Sequence, residues 1–378
     1  MIVKLADHIL SPLAFGTEEN YQSVSQGKSA ISSHGKEFEC HEEFYGSIFN
    51  RLEIEEIIDN KIKNPSEYTF FEKLCIYSTE EAIKECSIDA SSNDVIFILS
   101  TTKGNVEYLK NDINDTRAYL SSSAEKISRY FNNPNTPIVV SNACISGVSA
   151  QILAVRLLLS GKYKEAVIIG CDVLSNFIIS GFQSFKALSL APCKPFDKDR
   201  TGLNLGEAAA TLILGITDTI TDDQWRYISS SNHNDANHIS GPSRTGEGSY
   251  RVLQDIKESI EIEELAFINV HGTATPYNDE MESIALERAE LNQVPINGLK
   301  GYYGHTLGAA GILETIISMK AIDHGMILST KGFSNLGTSQ EVNISPENGA
   351  TKKKIFIKIL SGFGGSNAGI CYGKGGGK

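Results

Sequence analysis

From Asp94 onward the chain alternates short β-branched runs with longer segments of helical spacing, and this rhythm restricts its fold more than any other feature. VIFIL (95–99), PIVVS (137–141), EAVIIGC (165–171) and AATLILG (209–215) read as strands, with helical spacing over Gln151 to Leu159 and Leu174 to Leu188 between them. Apolar strands separated by helices call for a sheet covered on both faces, that is, an α/β protein. After Gly215 the alternation begins again: WRYISSS, a helix around Tyr250 to Ile260, strand AFINV (266–270), a helix over Asp279 to Glu290, short strand VPIN (294–297), a helix over Leu307 to His324, and the closing runs KIFIKIL and AGICY. Two successive units of one grammar imply a duplicated architecture, although the residues themselves show no repeat. The expected halves are 1–215 and 216–378. The first ninety residues are less regular; a helix is expected from about Glu67 to Glu85, loop and short helix over 18–50, and a flexible tail at GKGGGK.

At 378 residues there is room for two core-forming units, and 41% hydrophobic with 21% charged residues is an ordinary globular balance. No apolar stretch is long enough to cross a bilayer, and MIVKLADHILSPLAFG carries no signal-cleavage pattern, so a cytoplasmic protein is expected. Seven scattered cysteines without a C-x-x-C pair suggest neither a disulfide framework nor a zinc site, and no metal is expected. A net charge of −12 argues against a broad nucleic-acid interface. Lys352-Lys353-Lys354 reads as a solvated edge.

Cys144, in SNACISGVSA, follows one expected strand and precedes a helix. A helix N-terminus favours thiolate over thiol and can hold an oxyanion, so this is a place for a nucleophile; a small buried hydrophobe is the alternative. His271 opens HGTATPYNDEMES at the end of AFINV, where ligand crevices form in open α/β sheets. His305, in KGYYGHTLGAAGILE, precedes a helix rich in Gly and Ala, which signals either space kept for a ligand or a close helix contact. Singly, each histidine is more simply a structural residue. A thiol with two imidazoles, however, is a parts set for acyl transfer.

Five blocks, SNACISGVSA, KPFDKDRTGLNLGEAAA, NVHGTATPYNDEMES, KGYYGHTLGAAGILE and SGFGGSNA, resemble in order and spacing the signatures of decarboxylating, chain-elongating β-ketoacyl-acyl-carrier-protein synthases. The likeness runs from about Asp94 to Tyr372 and more loosely through SPLAFGTEENYQSVSQGKSAI. It implies a thiolase-like fold, two α/β halves with mixed five-stranded sheets in α-β-α-β-α layers. The implied enzyme is an acyltransferase joining a Cys-bound acyl chain to malonyl-acyl carrier protein by decarboxylative Claisen condensation, in fatty acid, polyketide or polyene biosynthesis. By the same resemblance Cys144 accepts the acyl chain, and His271 and His305 stabilise the enolate. Lys300 and Glu314 are their supporting pair. Thr273 and Thr275 bind the phosphopantetheine arm, and Phe363 gates the site and shares the oxyanion hole with Cys144. No cofactor is implied beyond the phosphopantetheine of the carrier protein; the partners are that carrier, acyl and malonyl thioesters, and a second copy or another ketosynthase-like chain.

Read without the family, Lys300 and Glu314 fit a solvated loop and a helix surface, Thr273 and Thr275 a turn, and Pro195-Phe196-Asp197 with Arg200 a buried turn and ion pair. The chain also departs from the family pattern. MIVKLADHILSP replaces an opening strand that ends in threonine-glycine, and the segment between VIFIL and Cys144 is short, as for a trimmed cap. Leu203 replaces an aromatic gate residue, Ala208 a glycine, and Ser361 the first aromatic of the gating loop. Two alternatives stand beside the synthase: a non-elongating, chain-length-factor-like partner subunit, and a thiolase with Cys371 as its second cysteine.

Overall fold

The computed structural model describes residues 1–35, 38, 43–235, 237–239 and 241–376; Cys40 and the last two residues of the GKGGGK tail lie outside the described residues. Ten strands form one path. Its first five are Ile138–Val140, Val95–Ser100, Glu165–Asp172, Ala208–Ile216 and Ile2–Ser11, paired parallel, parallel, antiparallel, antiparallel. The other five are Ile296–Asn297, Leu265–Asn269, Ile355–Gly362, Ser366–Lys374 and Trp225–Asn234, paired in the same senses. Val3 opposite Arg226 is the register pair that joins the two sets.

Side-chain parity builds the layers. In Ala208–Ile216, Ala208, Ala210, Leu212 and Leu214 face one core, while Ala209 and Ile213 face another. In Ile355–Gly362, Phe356 and Leu360 enter the first of these cores and Ile357 and Ile359 a third. The shared core holds the two helices Ser146–Leu159 and Ala310–Asp323. The outer cores are closed by Phe70–Lys84 and Leu120–Tyr130 on one side, and by Glu247–Lys257 and Pro276–Arg288 on the other. Helix, sheet, helix, sheet, helix is the resulting order.

The opening segment differs from its expected reading: MIVKLADHILSP does form a strand, Ile2–Ser11, in the middle of the sheet path. A β-irregularity between Lys4 and Ala6 breaks its alternation, which hides the strand from a period-2 reading. Residues 18–50 are likewise more ordered than expected, with a helix at Thr17–Ser25 and paired strands Ile31–His34 and Phe44–Ser47. The tail begins later than expected, because Gly373 and Lys374 still pair with neighbouring strands.

Candidate active site

Cys144, His271 and His305 come from three separated segments, and their ligand atoms converge within 4.8 Å. Cys144 lies between the strand Ile138–Val140 and the helix starting at Ser146. His271 follows the strand Leu265–Asn269, and its backbone N–H donates to Glu282 Oε1 at 2.6 Å, with Gly272 N–H donating to Oε2 at 2.8 Å. His305 follows the short helix Lys300–Tyr303 and is held by its backbone N–H donating to the Asn204 carbonyl at 2.7 Å. The two imidazoles meet edge to face with centroids 5.1 Å apart.

The hydrogen bonds assign the protons. His305 Nδ1 accepts the Leu307 backbone N–H at 3.3 Å, so its proton sits on Nε2, which is buried and without a partner. His271 Nδ1 is also buried and unpartnered; a bare ring acceptor there costs less than an orphaned N–H, which again puts the proton on Nε2. Burial holds both imidazoles well below their ordinary range, with Lys300 and Lys358 adding to the effect and His305 acting further on His271. Two neutral N–H donors therefore face one space.

Cys144 behaves otherwise than its position before a helix suggests. Burial raises its thiol to about 11, against the opposing pull of Lys300, Lys103 and the Phe363 backbone N–H. The resting group is the thiol: loss of water outweighs the helix terminus, whose field is limited to its first turn.

Lys300 and Glu314, readable as solvated residues, are instead fully buried and joined, Nζ to Oε1 at 2.8 Å. Glu314 Oε2 takes a second ammonium, Lys358 Nζ, at 2.5 Å. Burial would raise the carboxyl, but the two lysines outweigh it and Glu314 lies below the ordinary range. Lys358 was not anticipated, although the sequence carries its signal: in KIFIKIL it shares a face with Phe356 and Leu360, a charge where an apolar residue belongs. Glu282, also missed, is signalled only by acidity in the first helical turns after His271.

Two cavities meet at Cys144. One, of about 340 Å³, is lined by His271, His305, Thr273, Thr275, Leu203 and Lys186. The other, of about 670 Å³, is lined by Ile178, Phe177, Ala143 and Leu307, with Lys103 the single charged residue of its lining among the described residues. Phe182, Phe185 and Phe363 border both, and Phe363 packs on the other two rings at 6.0 and 5.5 Å. Aromatics at Phe182 and Phe185 thus stand at a border where Leu203 supplies none. The Ser361 hydroxyl bonds Asn367 Oδ1 at 2.8 Å and lies 3.1 Å from the Ser249 hydroxyl, a polar anchor for the Phe363 loop in place of an aromatic one. Thr273 and Thr275 hydroxyls are 2.9 Å apart. Asp197 caps the backbone of Ser334 and Asn335, while the Arg200 guanidinium donates to the Asp197 and Gly337 carbonyls at 3.0 and 2.6 Å and the carboxylate it approaches is Asp279, at 4.0 Å, so the ion pair read with Asp197 is not made by the Asp197 carboxylate. Cys371 is buried in the third core, outside both cavities, which removes the second cysteine of the thiolase reading.

The β-ketoacyl synthase N-terminal domain model matches residues 5–218 and the C-terminal domain model residues 227–334. The chain belongs to the β-ketoacyl synthase family. Among relatives it is similar to 3-oxoacyl-[acyl-carrier-protein] synthase 2 of Synechocystis, 24% identical over 97% of this chain and 96% of that protein. The enzyme of the same name from Rhizobium meliloti is 29% identical over 66% of this chain and 63% of its own length. In fold it matches a ketosynthase in complex with its chain length factor from Xenorhabdus doucetiae, with TM-score 0.86 and 22% identity over 99% and 98% of the two chains. A β-ketoacyl synthase from Burkholderia phymatum matches with TM-score 0.87 and 20% identity over 99% of each chain. The family's thiolase-like architecture is the one expected from the sequence. No helix among the described residues is long and apolar enough to cross a membrane.

Proposed function

We propose that this synthase condenses a Cys144-bound acyl chain with malonyl-acyl carrier protein by decarboxylative Claisen chemistry, in fatty acid or polyketide synthesis. The observation that carries the reading is a thiol at the junction of two cavities, with the His271 and His305 imidazoles beside it, each neutral and each with one buried ring nitrogen that has no partner, Nδ1 of His271 and Nε2 of His305. The apolar cavity suits an acyl chain, and the cavity with Thr273 and Thr275 suits a phosphopantetheine arm. Cys144 Sγ attacks the acyl thioester, the Cys144 and Phe363 N–H groups receive the oxyanion, and the carrier thiol leaves. A malonyl thioester then sets its carbonyl oxygen against His271 and His305; loss of carbon dioxide leaves an enolate held by both donors, and its carbon attacks the acyl-cysteine. A carboxylate at either histidine position would repel that enolate.

The division at 215/216 belongs to the same reading, supported by the gap between strands ending at Ile216 and starting at Trp225. So does a dimer: among the described residues Ile138–Val140 ends the sheet with one edge unpaired, which suits a second copy or a ketosynthase-like partner. Exposed Lys186 and Arg244 near the cavity mouth are the place for an acidic carrier protein to dock, despite the net charge of −12. Intact-mass measurement with an acyl-carrier thioester tests the core claim. One acyl mass is expected on the wild type and none on Cys144→Ala, and absence from both, with carrier and any co-purifying partner present, refutes it. The non-catalytic partner-subunit alternative predicts no acyl mass on either protein.

A further inference from the structure

Lys358 is a charge on the inner face of a central strand, fully buried, and the condensation as written gives it no task. Its ammonium has two partners: Glu314 Oε2 at 2.5 Å and the Val270 carbonyl at 3.1 Å. The first carboxylate is already engaged, since Oε1 accepts Lys300 Nζ at 2.8 Å. Lys300 and Glu314 alone would form a balanced buried pair; Lys358 leaves an excess of one positive charge. Stability alone does not account for it, because burying an extra ion is unfavourable and an apolar side chain of the same length would fit a strand face that holds Phe356 and Leu360.

Its connections point elsewhere. Val270 immediately precedes His271, and Lys300 opens the short helix whose end leads into His305. The chain Val270 carbonyl, Lys358, Glu314, Lys300 therefore spans the segments that carry both histidines.

We propose that Lys358 is a positioning residue for the histidine pair: it ties the His271 and His305 segments together and sets a surplus positive charge at the carbonyl that precedes His271, so that both rings meet substrate as neutral N–H donors. The inference rests on the condensing reading of the site. In the decarboxylation step the bond between the malonyl C2 and its carboxylate breaks, carbon dioxide leaves, and the electron pair remains as the thioester enolate. One negative charge is consumed and one is formed, no proton moves to either ring, and the surplus cation favours the enolate where it forms. Glu314 contacts Lys358 directly; Lys300, Glu282, His271 and His305 act on it or feel it at longer range, and the Glu314 charge acts on Tyr303.

The test compares Lys358→Met, which keeps the balanced Lys300–Glu314 pair, with Lys358→Gln, which keeps a donor without the charge. Decarboxylation of malonyl-carrier protein by Lys358→Met should fall about 100-fold, the scale of a small displacement of reacting groups, with Cys144 acyl loading changed by less than about threefold. Removing a cation makes imidazolium easier to form. The midpoints of His271 and His305, followed by NMR with labelled histidine, and the acid limb of decarboxylation should therefore rise by about one pH unit in both variants. Lys358→Gln should show this shift with a smaller loss of rate. A folded variant with unmoved histidine midpoints, equal loss of loading and decarboxylation, or failure of both variants to fold overturns the proposal. The NMR midpoints need no turnover, so a wild type that neither loads nor decarboxylates would count against the condensing reading and leave this test standing.

Discussion

Gly311→Ala should disable the site while leaving the fold nearly intact. Gly147 and Gly311 face each other where the two central helices cross. A methyl group on residue 311 would stand 2.5 Å from the Val148 amide nitrogen and 2.7 Å from the Gly147 carbonyl carbon, where ordinary contact begins at 3.4 Å. Both are backbone atoms, so no rotamer change relieves the overlap, and the helices must part by about 0.9 Å. Alanine's better helix propensity returns about 1 kcal/mol. Overpacking against backbone sits near the upper end of its range, about 3 kcal/mol, leaving a net loss of about 2 kcal/mol. With an unfolding entropy of about 0.8 kcal/mol/K for a chain of this length, Tm should fall by about 2–3 °C. The functional loss is larger. Cys144 lies three residues before Gly147 and His305 six before Gly311, so parting the helices separates thiol from imidazole, and a displacement near 1 Å costs about 100-fold in rate. Thermal unfolding and a condensation assay on the same preparation read both quantities. Wild-type turnover within about threefold would refute the claim that this glycine contact sets the geometry of the site.

A thiol raised to about 11 holds little thiolate at neutral pH. The alkylation rate of Cys144 by iodoacetamide should therefore climb about tenfold per pH unit from about pH 7 to 10, and a plateau near pH 8 would contradict it. Lys103→Met removes a cation that lowers this pKa, so the profile should move to still higher pH; a downward shift would show that Lys103 does not act on the thiol. Glu314→Gln leaves two buried lysines without a counter-charge, and a loss of about 3–5 kcal/mol in denaturant unfolding is expected. Because the Glu314 carboxyl is lowered in the fold, its stabilisation is present above its unfolded value near 4.5 and is lost as pH falls through the folded value. The gap between variant and wild type should accordingly close in acid, and a gap independent of pH would refute the assignment.

The long buried strands were legible because their apolar runs have no other use, and most helices because apolar spacing repeats along them. The Leu174 to Leu188 helix proved shorter, Asn176–Ser184, since the residues after it turn back towards Leu203. The Gly/Ala-rich segment after His305 was legible only as a choice between ligand space and helix contact; Gly147 shows that at Gly311 the contact is the cause. Lys300 and Glu314 could not be placed from sequence, because a lysine's burial depends on where its counter-charge arrives, and here that is fourteen residues away on another helix. The thiol pKa was misjudged for a related reason. A helix terminus is a local property of sequence, whereas desolvation is set by every element packed around the sulfur.

Backbone strain at the site makes the same distinction. Ala143, Ala274 and Leu307 adopt φ of 44°, 62° and 51°, a left-handed region in which glycine would be at ease and these residues are not. Each lies within three residues of Cys144, His271 or His305, and each such conformation stores about 1–3 kcal/mol. Alanine and leucine give no hint of this in sequence; the conformation is imposed from outside. At Ala143 the Gly362 segment lies against the turn, and at Leu307 the 307–309 turn is gripped where Gly308 N–H donates to buried Asp172 at 2.7 Å. Asp172 also accepts from Thr101 Oγ1 and the Thr102 N–H, so a carboxylate at the end of one half's strand holds the histidine loop of the other. The Leu307 N–H in turn fixes the His305 tautomer. The two halves therefore do more than place three side chains together: packing between them forces the backbone geometry that decides which ring nitrogen carries the proton.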